Sequence, residues 1–385
     1  MKFDSFIVKI VSPCNLNCSY CYEYNALDES WRDMPKFMSR KTARQVAERI
    51  REHLFESSYL SPRPVPIVFH GGEPLMMKIE DLQRLIETFR EVFEPDLKPL
   101  FGMQTNAMLV RDDYIELMNR EGMQIGVSCD GPPAINDLFR VNHSGRGSGK
   151  KVEAALRKLS GQPCFKTILC VININSDPIT VLEYLSQFNP QAIDFLLPHG
   201  TYDLPPVGKI EFDSTPYADW LIPIFDKWFF ESPGNIRIRI FEELIENLCG
   251  GMGALESLGL RPVTLLVIAP DGSFEGVDTL KVVAPGAHVL GFNAFENSLD
   301  EVSLHPKVTM RQLGERGICT TCALCDRKSV CGGGYLPHRY SSTNAFSNPS
   351  LFCKDLYKLI QHIDKSMHKL LERQTSKVIN VDNFQ

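Results

Sequence analysis

Three cysteines stand close together near the amino terminus, Cys14, Cys18 and Cys21, spaced Cys-x3-Cys-x2-Cys. Thiolates at that spacing can hold three irons of a cubane cluster and leave the fourth iron without a protein ligand. An open iron binds and activates a second molecule, so the triplet points to chemistry rather than electron storage. Zinc is the competing reading. Its sites usually pair Cys-x2-Cys knuckles or add histidines, and no histidine lies near Cys14.

A second cysteine group runs from Cys319 through Cys322, Cys325 and Cys331 to Cys353. Twelve cysteines in a small secreted protein would suggest disulfides, but here they gather near the two ends of a chain of 385 residues. A reducing compartment keeps thiols free for metals, so two metal-binding regions are the simplest reading. Cys129, Cys164, Cys170 and Cys249 sit in apolar or helical stretches and read as core residues.

Composition excludes several classes. With 43% apolar and 23% charged residues the chain reads as a soluble globular protein with room for one large domain and a smaller one. A net charge of -6 leaves no basic footprint for nucleic acid. No stretch has the length of a membrane span or the form of a signal peptide, so a cytoplasmic location is expected.

The elements that must position the triplet alternate. Strand-like runs at Phe6 to Val11, Ile67 to His70, Phe101 to Thr105, Gln124 to Ser128, Phe165 to Ile172 and Ala192 to Leu197 are separated by amphipathic helical stretches. Ala43, Val46, Ala47, Ile50 and Leu54 share one helical face behind Ser39 as N-cap; Leu82, Leu85, Ile86, Phe89 and Phe93 share another. Six such units predict an α/β fold, a partial (β/α)6 TIM-like barrel. Parallel barrels carry their sites at the carboxyl ends of the strands, where the cysteine loop falls. The expected division is a barrel over 1–230, a bridging region over 231–310 and a cysteine-rich extension with a closing helix over 311–385. Within it, Leu204 to Gly208 reads as a linker or lid, Tyr217 to Phe230 as a helix, Val263 to Ile268 as a strand, and Pro270-Asp271-Gly272 as a turn. Gly145 to Gly149 is glycine-rich but lacks the ending of a phosphate loop, and reads as a flexible loop.

The triplet, with Tyr20 between its last two cysteines, resembles the radical S-adenosylmethionine (SAM) enzymes. That resemblance implies a [4Fe-4S] cluster whose open iron binds SAM, reductive cleavage to a 5'-deoxyadenosyl radical, and hydrogen abstraction from unactivated carbon. His70-Gly71-Gly72-Glu73-Pro74 looks like the family's GGEP motif, and Ser128-Cys129-Asp130-Gly131 resembles its Ser-x-Asp-Gly element. On this basis Tyr20, Gly71, Gly72, Glu73, Pro74, Thr105, Asn106, Ser128 and Arg140 are the expected SAM contacts. Capping polar groups and a surface arginine are the competing reading of Ser128 and Arg140, and Asp130 also reads as a turn residue.

The far cysteine region resembles the SPASM extension of peptide-maturing radical SAM enzymes, whose core reads Cys-x2-Cys-x5-Cys-x3-Cys followed by a distant cysteine. Cys322, Cys325, Cys331 and Cys353 match four of those positions, while Tyr335 stands at the remaining one. The resemblance therefore implies one auxiliary [4Fe-4S] cluster on those four thiolates, with Cys319 a possible ligand; a four-cysteine zinc site is the alternative.

The run Cys331-Gly332-Gly333-Gly334-Tyr335-Leu336-Pro337-His338-Arg339-Tyr340 further resembles radical SAM maturases that form three-residue cyclophanes in ribosomally made peptides. That implies crosslinking of an aromatic ring to the β-carbon of a residue two positions on, in a precursor peptide, with flavodoxin or ferredoxin as electron donor. Asp130, Asp137, Tyr335, Arg339 and His338 are candidates for substrate or proton handling. With the chain starting at the first strand, peptide recognition is expected at the barrel mouth, the middle region or the cysteine-rich end. The competing functions are an anaerobic sulfatase maturase, a thioether-forming or epimerising maturase, and a non-catalytic iron–sulfur or zinc peptide-binding module.

Overall fold

The computed structural model describes residues 3–55, 63–231 and 236–381, with side chains described to residue 372. Its strands are β1 (Ser5–Val11), β2 (Arg63–Gly71), β3 (Leu97–Thr105), β4 (Gln124–Ser128), β5 (Phe165–Val171), β6 (Ala192–Leu196), β7 (Arg237–Ile238), β8 (Leu265–Ile268), β9 (Ser273–Glu275) and β10 (Val289–Asn293). They form one sheet in the order β10-β9-β8-β1-β2-β3-β4-β5-β6-β7. Neighbours from β8 through β7 are parallel, and β9 and β10 fold back antiparallel.

The first six strands fall where the apolar runs predict them. Helices α1 (Arg40–Leu54) and α2 (Ile79–Phe93) cover the sheet with the expected faces: Ala43, Val46, Ala47, Ile50 and Leu54 are buried, as are Leu82, Leu85, Ile86, Phe89 and Phe93. Ser39 caps α1 by accepting the Thr42 N–H at 3.0 Å. The cap is worth about 1 kcal/mol and each large buried side chain about 2, so packing rather than capping sets the helix against the sheet. Along β2 only Val65, Ile67 and Phe69 are buried. This alternation shows a sheet with one face under helices and the other turned toward the barrel interior.

The middle region differs from the expectation of six strands followed by a bridge. β8 pairs with β1 through Ser5↔Leu265 to Val8↔Ile268, and so extends the barrel sheet on its outer edge. The turn at Asp271-Gly272 then leads to β9, with Gly272 at φ +90° where a side chain would be strained. Leu204 to Gly208 is not a free linker. Just beyond it Lys209, fully sealed, bonds Asp355 of the C-terminal helix at 2.9 Å and the carbonyls of Phe212 and Ser214. Nor is Gly145 to Gly149 loose: Val141 bridges Gly147, and the Gly149 N–H bonds Asp137 at 2.6 Å.

Helix Pro216–Asp226 continues into a π-helical turn, Lys227–Glu231, and Cys353–Val381 forms the closing helix. Cys129, Cys164 and Cys170 are core residues, whereas Cys249, just past helix Arg239–Leu248, is exposed. Among the described residues no helix is long and apolar enough to cross a membrane.

Candidate active site

A cavity of about 420 Å³ opens at the carboxyl ends of the barrel strands. Cys14, Cys18 and Cys21 line one part of it, together with Tyr20, Gly71, Gly72, Thr105, Asn106, Ser128 and Arg140. An apolar wall of Leu169, Val171, Phe195, Leu196, Leu197 and Ile240 comes from β5, β6 and the helix after β7. Tyr335 and His338 reach the same space from the C-terminal region.

The cysteine loop is held by the backbone. Asn17 and Ser19 donate their N–H groups to the carbonyls of Val141 and Phe139, and Cys21 N–H closes a turn on Cys18. Cys14 Sγ accepts the Leu16 N–H at 3.4 Å and lies 3.7 Å from Asn106 Nδ2. Burial pushes the Cys14 thiol up to about 12 and the Cys21 thiol to about 11, and the neighbouring cysteines add to both. The sulfurs are thus close enough to feel each other without forming a closed ligand cage among the described residues. Iron binding there must displace their protons.

Behind the loop runs a buried hydrogen-bond chain. The Tyr20 hydroxyl donates to Asp130 at 2.5 Å and accepts from Arg140 at 2.7 Å, and Asp130 also accepts the Val171 N–H at 3.0 Å. Burial raises the Asp130 carboxyl, against the lowering effect of Arg140. Arg140 Nε is buried and has no partner among the described residues. Gln104 donates to Ser128 Oγ at 2.8 Å.

Several expected site residues bond to the surrounding scaffold. Glu73 is fully buried; its carboxylate accepts Thr105 Oγ1 at 2.6 Å, Asn106 N–H at 2.7 Å and Leu75 N–H at 3.0 Å, and does not line the cavity. Pro74 is buried at the start of a short 3-10 turn. Asp137 accepts the Gly149 N–H outside the cavity, and Asp130 meets the cavity only through Tyr20. Arg339 spans the glycine turn, donating to the carbonyls of Gly334 (3.0 Å), Gly332 (2.8 Å) and Gly317 (3.4 Å). For Glu73, Asp137 and Arg339 alike, the partners include nearby backbone groups.

A buried charged network beside the triplet belongs to no motif and escaped the sequence reading. Lys9, on β1, bonds Glu275 at 2.7 Å and Glu23 at 3.1 Å and lies 3.5 Å from Asp278; Lys281 bonds Glu23 at 2.6 Å. Tyr22, which lines the cavity, donates to Asp278 at 3.2 Å. Burial would raise the Asp278 carboxyl, but Lys9, His70 and Lys281 outweigh it and hold it at about 2. His199, just past β6, was also missed. The lysine inside the Phe6 to Val11 run and the histidine at a strand end were the available signals.

In the C-terminal region the five thiols are neighbours, without forming a closed ligand cage among the described residues. The Cys322 thiol is pushed up by burial and by the neighbouring Cys319, Cys331 and Cys353, and Cys353 in turn feels Cys325 and Cys319. Cys319 is therefore a neighbour of the four matched thiols, giving five candidates for four ligand positions. Tyr335 stands apart from them: its hydroxyl bonds Thr279 Oγ1 at 2.6 Å and its ring lines the cavity.

The arrangement is that of a radical SAM domain. Residues 8–185 match the model of the Radical SAM superfamily, and the chain is an enzyme with a fold of the radical SAM type. It is similar to the serine-type anaerobic sulfatase-maturating enzyme of Bacteroides thetaiotaomicron, 25% identical over 382 residues that span 91% of this chain and 86% of that one. The cysteine-type enzyme of Clostridium novyi is 25% identical over 389 residues, 96% of this chain and 97% of its own. Among solved structures, native anSMEcpe with bound AdoMet and Cp18Cys peptide superposes with a TM-score of 0.80 at 21% identity, over 96% of this chain and 99% of that one. Streptococcus suis SuiB bound to precursor peptide SuiA gives 0.62 at 14%, over 92% and 76%. At these identities the solved structures establish a shared fold.

The cofactors of such an enzyme are a [4Fe-4S] cluster and SAM, and the residues present fit them. Three thiols face one cavity that Arg140 also lines. At Gly72 an added Cβ would fall 2.2 Å from the Pro13 carbonyl oxygen and 2.1 Å from Tyr24 Oη, so the backbone there is pressed against the cysteine loop. Cys14, Cys18 and Cys21 would hold the cluster, and Gly72, Thr105, Asn106, Ser128 and Arg140 would surround SAM. Together they supply, when bound, a radical able to remove hydrogen from unactivated carbon. The C-terminal thiols fit an auxiliary cluster by donor type and number.

Proposed function

We propose that this enzyme oxidises a ribosomally made precursor peptide and joins an aromatic ring to the β-carbon of a residue two positions on. The observation that carries the reading is the placement of Tyr335. It stands where the extension's pattern has a further cysteine, yet it turns into the cavity and bonds Thr279, leaving the C-terminal thiols as a single set. Crosslinking a β-carbon to a ring removes two hydrogens overall. After the first is abstracted and the bond has formed, restoring aromaticity requires the loss of one electron and one proton. One electron acceptor held by Cys322, Cys325, Cys331 and Cys353 meets that need.

The chain's own residues suit an aromatic side chain. The wall from Leu169 to Ile240 excludes water and offers ring-sized apolar surface, while Tyr22, Tyr335 and His338 line the polar side. An external flavodoxin- or ferredoxin-type reductant belongs to the same proposal.

A second reading is favoured by the relatives, which are sulfatase-maturating enzymes by name. It would oxidise a Cys or Ser in a sulfatase. Co-expression with candidate substrates followed by mass spectrometry separates the two. Loss of two hydrogens with an aryl-to-β-carbon linkage supports crosslinking. Oxidation of a sulfatase peptide, with aromatic peptides left unchanged, supports the second reading. Inversion of a centre without mass change removes both.

A further inference from the structure

Two imidazoles on the cavity wall each carry a ring nitrogen that the fold leaves unsatisfied. His199 follows the carboxyl end of β6, and His338 lies in the turn Leu336–Arg339. Both line the cavity, with ring centroids 5.8 Å apart. Neither ring makes a hydrogen bond among the described residues; Nδ1 of His199 and Nε2 of His338 are sealed, whereas Nε2 of His199 and Nδ1 of His338 are not. The Tyr335 ring lies 5.8 Å from His199 and 5.3 Å from His338, and Tyr22 meets His199 edge-on at 5.2 Å.

Folded chains pair or hydrate nearly all of their buried polar atoms, so two orphan ring nitrogens on one wall need an explanation. Packing does not supply it, because phenylalanine would fill this aromatic cluster without a polar atom to satisfy. The partner of the two nitrogens that are not sealed, Nε2 of His199 and Nδ1 of His338, therefore belongs to whatever occupies the cavity. Burial holds both rings neutral, His199 at about 4. A neutral imidazole offers one donor and one acceptor, the same pair that an extended peptide presents along its backbone. At neutral pH it is a poor match for a proton acceptor, whose pKa should lie near the working pH.

We propose that His199 and His338 form a clamp for substrate backbone, hydrogen-bonding neighbouring amide groups of a bound peptide and holding its reacting side chain against Val171, Phe195 and Leu197. The clamp rests on the reading of the substrate as a peptide, but not on which side-chain bond the enzyme makes. Tyr22 follows Cys21 directly in the cysteine loop and touches His199, which places the clamp beside the thiols that would hold the cluster.

The test uses the anaerobically reconstituted enzyme with SAM and a fluorescein-labelled synthetic peptide reading Trp-Gly-Asn between Gly and Ser residues, an aromatic ring with a β-carbon two positions on. Anisotropy is the readout. His199→Phe and His338→Phe should each raise Kd roughly tenfold, the cost of one hydrogen bond to a desolvated partner. His199→Gln and His338→Asn, which return a neutral donor and acceptor near the lost nitrogen, should bind within about threefold of the unsubstituted enzyme. Iron content and melting temperature of each variant exclude misfolding. Unchanged Kd in both Phe variants, equal weakening in the Phe and amide variants, or no saturable binding by the unsubstituted enzyme overturns the clamp. If binding follows the clamp pattern while the co-expressed product carries no aryl crosslink, the crosslinking reading falls and the clamp stands.

Discussion

Glu73 Oε2 accepts the backbone N–H of Asn106 at 2.7 Å, so the glycine turn that ends β2 is bonded to the tip of β3. With Thr105 and Leu75 on the other oxygen, one buried carboxylate satisfies three donors. Glu73→Ala leaves all three unpaired and should destabilise the protein by about 3 kcal/mol. Urea unfolding would measure it. Glu73→Gln, which turns an amide NH2 toward donors, should fall between, and an unfolding midpoint equal to that of the unsubstituted protein would remove the scaffold role.

Lys9 lies between Glu23, Glu275 and Asp278 in a buried site, and removing it leaves buried carboxylates facing one another with Lys281 alone against them. Lys9→Met should cost about 3–5 kcal/mol, read as a lower melting temperature. The pH dependence follows from Asp278, held at about 2 in the fold. A depressed carboxyl contributes stability that is fully present above its unfolded value, near about 4, and lost as pH falls through the folded value. Acid unfolding between those limits should therefore be shallower in Asp278→Asn, while a curve unchanged from that of the unsubstituted protein would contradict the ionised, paired carboxylate.

Gly72 has no room for a methyl group. Gly72→Ala places a carbon 2.2 Å from the Pro13 carbonyl oxygen. Overpacking of this kind costs about 1–3 kcal/mol, and here the displaced backbone leads to Cys14. Reduced SAM affinity in equilibrium dialysis, together with a lower melting temperature, is expected; native SAM affinity would show that the loop shifts freely.

Arg339 ties the carbonyls of Gly317, Gly332 and Gly334 around the C-terminal thiols. Arg339→Met should loosen that turn and shed the iron held there, lowering total iron by about half while the cluster on Cys14, Cys18 and Cys21 is kept. Iron and sulfide analysis of the purified variant provides the check. Full iron content would assign the arginine another role.

Local rules carried much of the fold. The six parallel strands and the buried faces of α1 and α2 follow from apolar spacing, because that spacing alone decides which residues can share a face. β8 did not reveal its place in this way. Leu265 to Ile268 reads as a strand, but its pairing with β1, at the far end of the described sequence, is a nonlocal choice that no periodicity encodes. The site divides along the same line. The triplet was legible because its three cysteines lie close in sequence at a spacing that suits a cluster, whereas the Lys9–Glu275 pair joins distant residues.

The sequence by itself determined the donor chemistry: three clustered thiols near one end, five near the other, and a tyrosine in place of a further cysteine. The tertiary structure decided which polar residues meet the cavity. Glu73, buried, and Asp137 and Arg339, partly buried, found partners in nearby backbone and side-chain groups. Arg140, His199 and His338 retained unpartnered nitrogens on the cavity wall. That distinction depends on satisfied and unsatisfied hydrogen bonds, which exist only once the chain has closed on itself.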